Sequence, residues 1–502
     1  MIIALAALLV PAPVAAARLC DLAMRTISCF VRQPGFILAV INFCLGLVWM
    51  AVIRPLDAPD EPGHLQAIMQ VRKQHILPEM HLQPAVNTAR EVIWPPRDPE
   101  TVAYIRKVRQ ELPVSDDYLV IPYKSVQPPL YYVIAGLVAH IAPPEPKTVL
   151  YIGRLVSVLF GAATVYFCWL AIRELVPDAP VLAVAAAGVT ALLPQFCFTN
   201  AHAANDSAVN LAATAGFYIW VRALADPEFD RRLFGAGAML GFAILSKLTA
   251  IVLIPGLVLV ILFRMFQARP GLIGLANWLK RGLGMIAGAT LGVVLVAGWW
   301  FVRNLLTYGE PSGTKAELHV VAGNFIKADF SKPQTARDLT HYTLENLWGR
   351  FGWNDITLPH GIYHFCNTAA LVLVCLSVLA GIGLFALWVT RKYPSNVVTW
   401  QAASIFLAIG AGLLAGFIQY NAKVAYQPQA RYFFLLLVPG ALLLTGGLHW
   451  LAARRALRLT AVGLLLIAFG LLNALALVAV KQAGPAPGGV RHKPRRRSVV
   501  LA

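Results

Sequence analysis

The sequence is poor in charged residues. Only 13% of its 502 residues are charged and 24 are acidic, whereas a typical soluble domain has about 25% charged residues. Hydrophobic residues make up 58% of the chain, and apolar runs that approach the ~20 residues needed to cross a bilayer recur along it. This composition excludes a soluble globular protein and predicts an all-α, polytopic integral membrane protein.

Other absences narrow the class further. The seven cysteines form no CxxC pair and no Cys/His pattern typical of zinc. The sequence has no internal repeat, no low-complexity tract and no stripe of basic and aromatic residues that would favour a nucleic-acid partner. We therefore interpret the net charge of +18 as a signal of membrane topology and expect one integrated domain among membrane lipids.

Eleven apolar segments predict about 11 transmembrane helices, within a range of 10–13. They lie near 36–53, 154–172, 179–198, 205–223, 233–246, 248–266, 283–303, 366–390, 399–420, 432–452 and 459–480.

The status of a further apolar run, 128–142, is decided by the basic residues. If this run lies flat on the membrane, Arg222, Arg264 and Arg391 share one side with the arginines of the amino terminus. If it crosses the membrane, the arginines of the amino terminus lie on the side opposite to Arg222, Arg264 and Arg391, and neither side is enriched in basic residues. The positive-inside rule therefore favours a flat helix and a cytoplasmic amino terminus. Two long polar segments, 54–153 and 304–365, then become external loops with interfacial helices.

Three regions are predicted along the chain. Residues 1–35 form a cytoplasmic extension, which is read equally well as a signal-like segment or as the product of an early start codon. Residues 36–480 form the membrane domain. Residues 481–502 form a basic tail that we expect to be disordered. This topology places the tail outside, although the positive-inside rule predicts that so basic a segment is cytoplasmic. Binding of the tail to anionic lipid headgroups is one explanation.

Three carboxylates follow the first predicted span. Asp57, Asp60 and Glu61 lie within five positions, and a helical pattern begins directly after them with Pro62 in its first turn. One carboxylate is explained as a helix N-cap. A helix cap does not explain three carboxylates beside a membrane, where ionised groups are costly. Their clustering favours a role in catalysis or binding.

A metal site is an alternative explanation of the same cluster. Asp57, Glu61 and His64 have the spacing of one helix face, but Pro59 and Pro62 disfavour a helix that starts so early. Binding of a hard divalent cation by Asp57 and Asp60 is a second form of this alternative. We expect no required cofactor, with a divalent cation as the open alternative.

Several motifs resemble one family in their order and sidedness. They are DAPDEPGHLQAI (57–68), QPPLYYVIAGL (127–137), RLVSVLFGA (154–162), LLPQFCFTNAHAANDSAVN (192–210), GFAILSKLTAI (241–251), GWWFVRNLLTYGEP (298–311), LWGRFGW (347–353) and QPQARYFFLLLVPG (427–440). The chain thereby resembles the GT-C superfamily of polyprenyl-phosphate-dependent glycosyltransferases. The likeness is to family 39, which includes protein O-mannosyltransferases and the aminoarabinose transferase, and to a related bacterial branch of membrane proteins of unknown function.

The resemblance implies a GT-C-like fold and a glycosyltransferase of the cytoplasmic (inner) membrane. Such an enzyme moves a hexosyl or pentosyl group from a polyprenyl-phosphate carrier to an envelope polysaccharide, lipid or protein on the extracytoplasmic face. Asp60 best matches the family's acidic residue and is the expected general base, with Glu61 and Asp57 as the next candidates.

The leaving lipid phosphate calls for fixed cations. Five basic residues at the external ends of spans are candidates: Arg154, Lys247, Arg303, Arg350 and Arg431. The alternative for each is snorkelling towards the interface. Five polar residues are candidates for substrate binding: His64, Asn205, Asp206, Gln429 and Tyr432. Asn205 and Asp206 are explained equally well as a cap of the following helix.

A transporter or flippase for a lipid-linked sugar is the alternative function. Transporters often show inverted repeats and broken helices near the bilayer midplane. The absence of a repeat and the gathering of polar residues at one face favour the enzyme.

Overall fold

The computed structural model describes residues 33–75, 77–78, 81–82, 92–93, 98–109, 123–226, 233–267, 274–315, 326–390, 397–451 and 455–483. Nearly all of the predicted amino-terminal extension and of the basic tail lies outside these residues.

The described chain is almost entirely helical. Its α-helices are α1 (Pro34–Val52), α2 (Glu61–Met69), α3 (Pro99–Arg109), α4 (Leu130–Val138), α5 (Pro146–Leu175), α6 (Pro180–Leu192), α7 (Pro194–Ala201), α8 (Asp206–Ala225), α9 (Leu233–Ser246), α10 (Ile254–Gln267), α11 (Leu275–Val293), α12 (Trp299–Tyr308), α13 (Pro333–Gly349), α14 (His360–Val389), α15 (Val397–Lys423), α16 (Leu437–Leu451) and α17 (Arg455–Gln482).

Short 3₁₀ and π segments extend or join several helices. The 3₁₀ segments are Tyr123–Val126, Ala139–Ile141, Leu248–Leu253 and Ala430–Leu436, and the π segments are Gln70–Gln74 and Val294–Gly298. Two antiparallel pairs of two-residue strands complete the described elements. They are β1 (His81–Leu82) with β2 (Val92–Ile93), and β3 (Arg350–Phe351) with β4 (Ile356–Thr357).

Each of the eleven predicted spans coincides with helical structure. Nine described helices are long and apolar enough to cross a membrane, and α6 with α7 form a tenth candidate that bends by 56°. The eleventh, α9, has 14 residues and is about 21 Å long, shorter than the ~30 Å hydrocarbon core. The prediction of a polytopic all-α membrane protein is confirmed.

The bend between α6 and α7 has a local cause and a specific compensation. Pro194 has no backbone N–H, and Leu193 before it has an extended conformation, so the carbonyls just before the bend lose their helical partners. Asn42 Nδ2 on α1 donates to the Ala191 carbonyl at 2.8 Å, and Asn473 Nδ2 on α17 donates to the Leu192 carbonyl at 2.9 Å. Backbone groups at membrane depth need such partners, so the break fixes α1 and α17 against it.

Helices α9 and α11 approach each other closely through small residues. A Cβ atom added to Gly237 on α9 would lie 1.9 Å from the Ala289 carbonyl oxygen on α11, and one added to Gly292 would lie 2.2 Å from the Phe234 carbonyl oxygen. Small residues at such crossings allow backbone-to-backbone packing in membranes. Alanine at either glycine would force these two helices apart.

The predicted flat helix is α4 with the following 3₁₀ turn. Together, Leu130–Ile141 has only about 18 Å of length, too short to cross a bilayer. Tyr131, Tyr132 and Ala135 are fully buried against a cluster that also contains Leu65 from α2 and Leu150 from α5. Helix α4 therefore forms part of the wall behind the carboxylates that follow α1.

Candidate active site

The loop between α1 and α2 carries the acidic cluster in an unusual backbone conformation. Leu56 and Asp60 both have positive φ angles, 62° and 66°, a region that costs an L-residue roughly 1–2 kcal/mol. Helix α2 begins at Glu61 with Pro62 in its first turn, as the sequence predicts. Asp60 occupies the N-cap position, but its side chain makes no capping hydrogen bond. Capping therefore does not explain this carboxylate.

The Asp60 carboxylate instead contacts two cations from distant parts of the chain. Arg431 Nη2 donates to Asp60 Oδ2 at 3.0 Å, and Lys124 Nζ lies 3.5 Å from the same oxygen. The Asp60 side chain keeps 19% of its surface exposed, whereas that of Arg431 keeps 5%. Asp60 is therefore the accessible member of a mostly buried ionic cluster.

A second carboxylate extends this cluster into the bundle. Lys247 Nζ lies 2.6 Å from Asp206 Oδ1, and Arg431 Nη1 lies 3.5 Å from Asp206 Oδ2. Burial lowers the pKa of Lys247, and the nearby Asp206 carboxylate opposes this effect. Arg431 thus bridges two carboxylates, and three cationic side chains face two anionic ones.

A cavity of about 400 Å³ opens beside the cluster. Its charged end is formed by Asp60, Lys124, Lys247 and Arg431. The remaining lining is apolar or neutral polar and consists of Val126, Gln127, Pro128, Leu248, Thr249, Ile251, Val252, Ser312, Thr314, Leu413, Gly416, Phe417, Tyr420, Gln427 and Tyr432. The cavity therefore joins a cationic end to an apolar wall.

Arg431 has hydrogen-bonding capacity left over. Its buried Nε atom has no hydrogen-bond partner, and its buried Nη1 atom makes the 3.5 Å ion pair with Asp206 but no hydrogen bond. Unpaired buried donors of a charged group cost more than a typical hydrogen bond contributes. Arg431 also lines the cavity, so an anionic ligand there would lie beside its positive charge.

Glu61 and Arg154 lie behind the cavity and not in its lining. Arg154 Nε and Nη2 donate to the two Glu61 carboxylate oxygens at 2.8 and 2.7 Å. The guanidinium also donates to the carbonyls of Met50, Ile53 and Arg54. All five of its N–H donors are accounted for, so Arg154 holds the end of α1 and has none left for a phosphate.

Replacing Arg154 by methionine is expected to destabilise the fold by about 3–5 kcal/mol, because the buried Glu61 carboxylate would lose its partner. Thermal unfolding of the purified protein in detergent measures this. The double variant Glu61→Leu with Arg154→Leu should recover part of the loss. If Arg154→Met instead had normal stability but bound the lipid donor more weakly, Arg154 would be a phosphate-binding residue as the sequence predicts.

Three other predicted residues lie away from the cavity lining. Asp57 is half-buried in the loop after α1. Arg303 packs on the rings of Trp300 and Tyr308, at 4.8 and 5.5 Å to the ring centroids. Arg350 pairs with Glu345 at 2.9 Å. The structure therefore brings Lys247 and Arg431, out of the five cationic candidates, to the charged end of the cavity.

Residues predicted to bind substrate form a layer around the cavity. Tyr432 lines it and donates a hydrogen bond to Gln427. His64 Nδ1 lies 3.0 Å from the hydroxyl oxygen of Tyr132. Burial lowers the pKa of His64 well below its ordinary value, and the charge of Lys124 lowers it further. His64 is therefore a buried residue that supports the cavity through its contact with Tyr132.

Asn205 supports the cavity from behind, and Gln429 lies outside its lining. Asn205 Nδ2 donates to Gln127 Oε1 at 3.0 Å and to the Ser246 carbonyl at 3.2 Å. It makes no side-chain capping bond at the start of α8. Gln429 donates its backbone N–H to the Gln427 carbonyl at 2.8 Å.

Sequence reasoning missed most of the cavity lining, including Lys124, Gln127 and Gln427. Gln127 and Gln427 begin two motifs that the sequence analysis singled out, and their motif positions could have identified them. Lys124 lies in a polar segment away from every predicted span, so no pattern marked it.

The residues that the structure describes contain no group of three His, Cys, Asp or Glu side chains arranged to hold a metal ion. Asp60, one half of the hypothetical cation site, is already paired with Arg431 and Lys124.

A family model described as dolichyl-phosphate-mannose-protein mannosyltransferase matches residues 126–300. This segment contributes Gln127 and Lys247 to the lining of the cavity and carries Asp206, the partner of Lys247. The resemblance to GT-C glycosyltransferases of this type, predicted from the motifs, is confirmed. No curated protein sequence gives a significant match.

Solved structures with a similar course of the chain share little sequence with it. The oligosaccharyltransferase of Archaeoglobus fulgidus in the apo form is 12% identical, with a TM-score of 0.47, 89% of this chain covered and 55% of that chain. ArnT from Cupriavidus metallidurans bound to undecaprenyl phosphate is 15% identical, with a TM-score of 0.45, 90% of this chain covered and 75% of that chain. The chain thus spans about half the length of the oligosaccharyltransferase.

Proposed function

We propose that this protein is a membrane glycosyltransferase that moves a sugar from a polyprenyl-phosphate carrier to an envelope acceptor. One observation carries the proposal. A partly exposed carboxylate, Asp60, lies 3.0 Å from the Arg431 guanidinium, in a cavity that joins three cations to an apolar wall.

The cationic end suits the phosphate of the carrier. A phosphodiester accepts hydrogen bonds from a guanidinium and from lysine ammonium groups. Arg431, Lys247 and Lys124 provide these groups, and Asp206 holds the first two in place from the buried side. When the sugar leaves, the phosphate gains negative charge, which this fixed cationic end stabilises more strongly than the ground state.

Asp60 is the proposed general base. The acceptor hydroxyl attacks the anomeric carbon, its proton passes to the Asp60 carboxylate, and the bond between the anomeric carbon and the phosphate oxygen breaks with its electron pair on the phosphate. Arg431 and Lys124 lie against the Asp60 carboxylate in the resting site. Phosphate binding would draw these cations partly away and leave the carboxylate a stronger base.

The apolar wall suits the start of the isoprenoid chain. Ile251 and Val252 come from the 3₁₀ segment before α10, and Leu413 and Phe417 come from α15, a membrane-span candidate. The phosphate end and the apolar end therefore face one continuous cavity. We place this site on the extracytoplasmic face of the inner membrane, as the charge bias of the sequence predicts.

The decisive experiment is transfer in proteoliposomes that hold the purified chain and a synthetic polyprenyl-phosphate sugar labelled in the sugar. Parallel reactions offer a hexosyl and a pentosyl donor with glycan, lipid and peptide acceptors. The expected result is free polyprenyl phosphate and labelled acceptor in equal amounts. Movement of intact lipid-linked sugar between leaflets, with no bond broken, would identify a flippase and overturn the proposal.

Addition of a chelator to this reaction is expected to leave the rate of transfer unchanged within about twofold, because side-chain cations occupy the place that a metal ion has in other phosphoryl-binding sites. The rate with and without EDTA measures this. A loss that added Mg²⁺ or Mn²⁺ reverses would show that an exchangeable cation is essential.

A further inference from the structure

The short hairpin β3–β4 is anchored firmly at its base. Phe351 is fully buried, with its ring 5.1 Å from that of Trp49 and 5.4 Å from that of Phe198. The Tyr363 hydroxyl donates to the Gly349 carbonyl at 2.6 Å and accepts from the Leu358 backbone N–H at 2.8 Å. The hairpin is therefore fixed to α1, α7 and α14.

The tip of the hairpin reaches the loop that carries Asp60. Trp353 Nε1 donates to the Leu56 carbonyl at 3.3 Å, and the Trp353 ring packs against the cluster that contains Leu56 and Tyr131. Leu56 is one of the two loop residues with positive φ. This contact therefore holds the unfavourable turn that places Asp60.

A second contact reaches the segment that carries Arg431. Asn346 at the end of α13 is 1% exposed. Its Nδ2 donates to Asn354 Oδ1 in the hairpin turn at 2.9 Å, and its Oδ1 accepts from the Ala430 backbone N–H at 2.7 Å. Ala430 directly precedes Arg431, so this amide fixes the backbone from which the guanidinium extends.

We propose that the β3–β4 hairpin with Asn346 is a clamp that sets the position of Asp60 relative to Arg431. Trp353 and Asn346 are positioning residues, because neither lines the cavity. Asp60 and Arg431 are 371 positions apart in sequence. Trp353 fixes the loop of Asp60, and Asn346 fixes the segment of Arg431. This inference rests on the proposed function, since it assigns to Asp60 and Arg431 the roles given above.

The two contacts should affect different steps. Misplacement of a reacting group by about 1 Å can lower a rate by roughly 10²-fold. Loss of the Trp353 contact frees the Asp60 loop and should act on the chemical step. Loss of the Asn346 contact frees the Arg431 segment and should act on phosphate binding.

The test compares Trp353→Phe and Asn346→Leu with Trp348→Phe as the matched control. Trp348 is also buried on α13 and its Nε1 donates a hydrogen bond to Asn367 at 2.6 Å, but it contacts neither Ala430 nor Leu56 through that bond. Three quantities are measured for each: kcat and KM for the lipid donor, the Kd for sugar-free polyprenyl phosphate, and the thermal unfolding midpoint.

We expect Trp353→Phe to lower kcat about 10-fold with KM changed less than about twofold, and Asn346→Leu to raise the Kd for polyprenyl phosphate about 10-fold. Trp348→Phe should leave kcat and Kd near wild type. If Trp353→Phe and Asn346→Leu both match the control Trp348→Phe in kcat and Kd, or lose activity only in proportion to their unfolding midpoint, the clamp is refuted. Failure of the wild type to transfer sugar or to bind polyprenyl phosphate would instead refute the proposed function.

Discussion

Asp60→Asn is expected to lower kcat for sugar transfer by about 10²–10⁴-fold, the range that general-base catalysis contributes. The amide has nearly the shape of the carboxylate and still accepts a hydrogen bond from Arg431, but it does not take a proton from an acceptor hydroxyl. Single-turnover transfer in proteoliposomes measures the effect. The Kd for polyprenyl phosphate should fall or stay unchanged, because a competing anion has been removed from the cationic end.

Asp57→Asn is the matched control for this prediction. It makes the same chemical change three positions earlier, at a residue outside the cavity lining. We expect nearly normal transfer and normal protein abundance in membranes for this variant. Full activity of Asp60→Asn, or an equal loss in both variants, would remove Asp60 from the mechanism.

Arg431→Gln is expected to raise KM for the lipid donor by about 10–100-fold, which corresponds to the ~1.5–3 kcal/mol of one hydrogen bond to a charged group. The KM for the acceptor should change little. Arg431→Lys should give an intermediate loss, because an ammonium keeps the charge but not the planar fork that bridges Asp60 and Asp206. Donor titrations at fixed acceptor, and acceptor titrations at fixed donor, separate the two values.

Arg303→Gln controls for a general loss of cations at the ends of the helices. Arg303 lies on aromatic rings and donates to the Pro78 carbonyl at 3.3 Å. Its replacement should leave donor KM within about twofold of wild type if only specific contacts matter. A similar rise in donor KM for Arg303→Gln and Arg431→Gln would contradict a specific phosphate contact at Arg431.

The helical framework was predictable because its determinants are local. A run of about 20 apolar residues specifies a helix of membrane-spanning length wherever it lies in the chain. The start of α2 was equally predictable from the sequence, since Asp60, Glu61 and Pro62 are typical of a helix amino terminus. The short length of α4 also followed from the sequence alone.

The roles of neighbouring side chains could not be read in the same way. Asp60 and Glu61 are adjacent and chemically similar, yet one reaches the cavity and the other is buried against Arg154. Arg154 and Arg431 are both arginines at span ends, yet only Arg431 has donors without a hydrogen-bond partner. Asp60 has a left-handed backbone conformation just before α2 and Glu61 is the first residue of that helix, so the two adjacent side chains enter different environments.

The sequence by itself determined a helical membrane protein with acidic residues at the mouth of its first span. The tertiary structure alone decided that Asp60 meets Lys124, Arg431 and, through Arg431, Asp206. The reason is physical. Hydrophobicity is a property of each segment, whereas an ionic site is a property of where separate segments end in space, and that depends on how the helices pack.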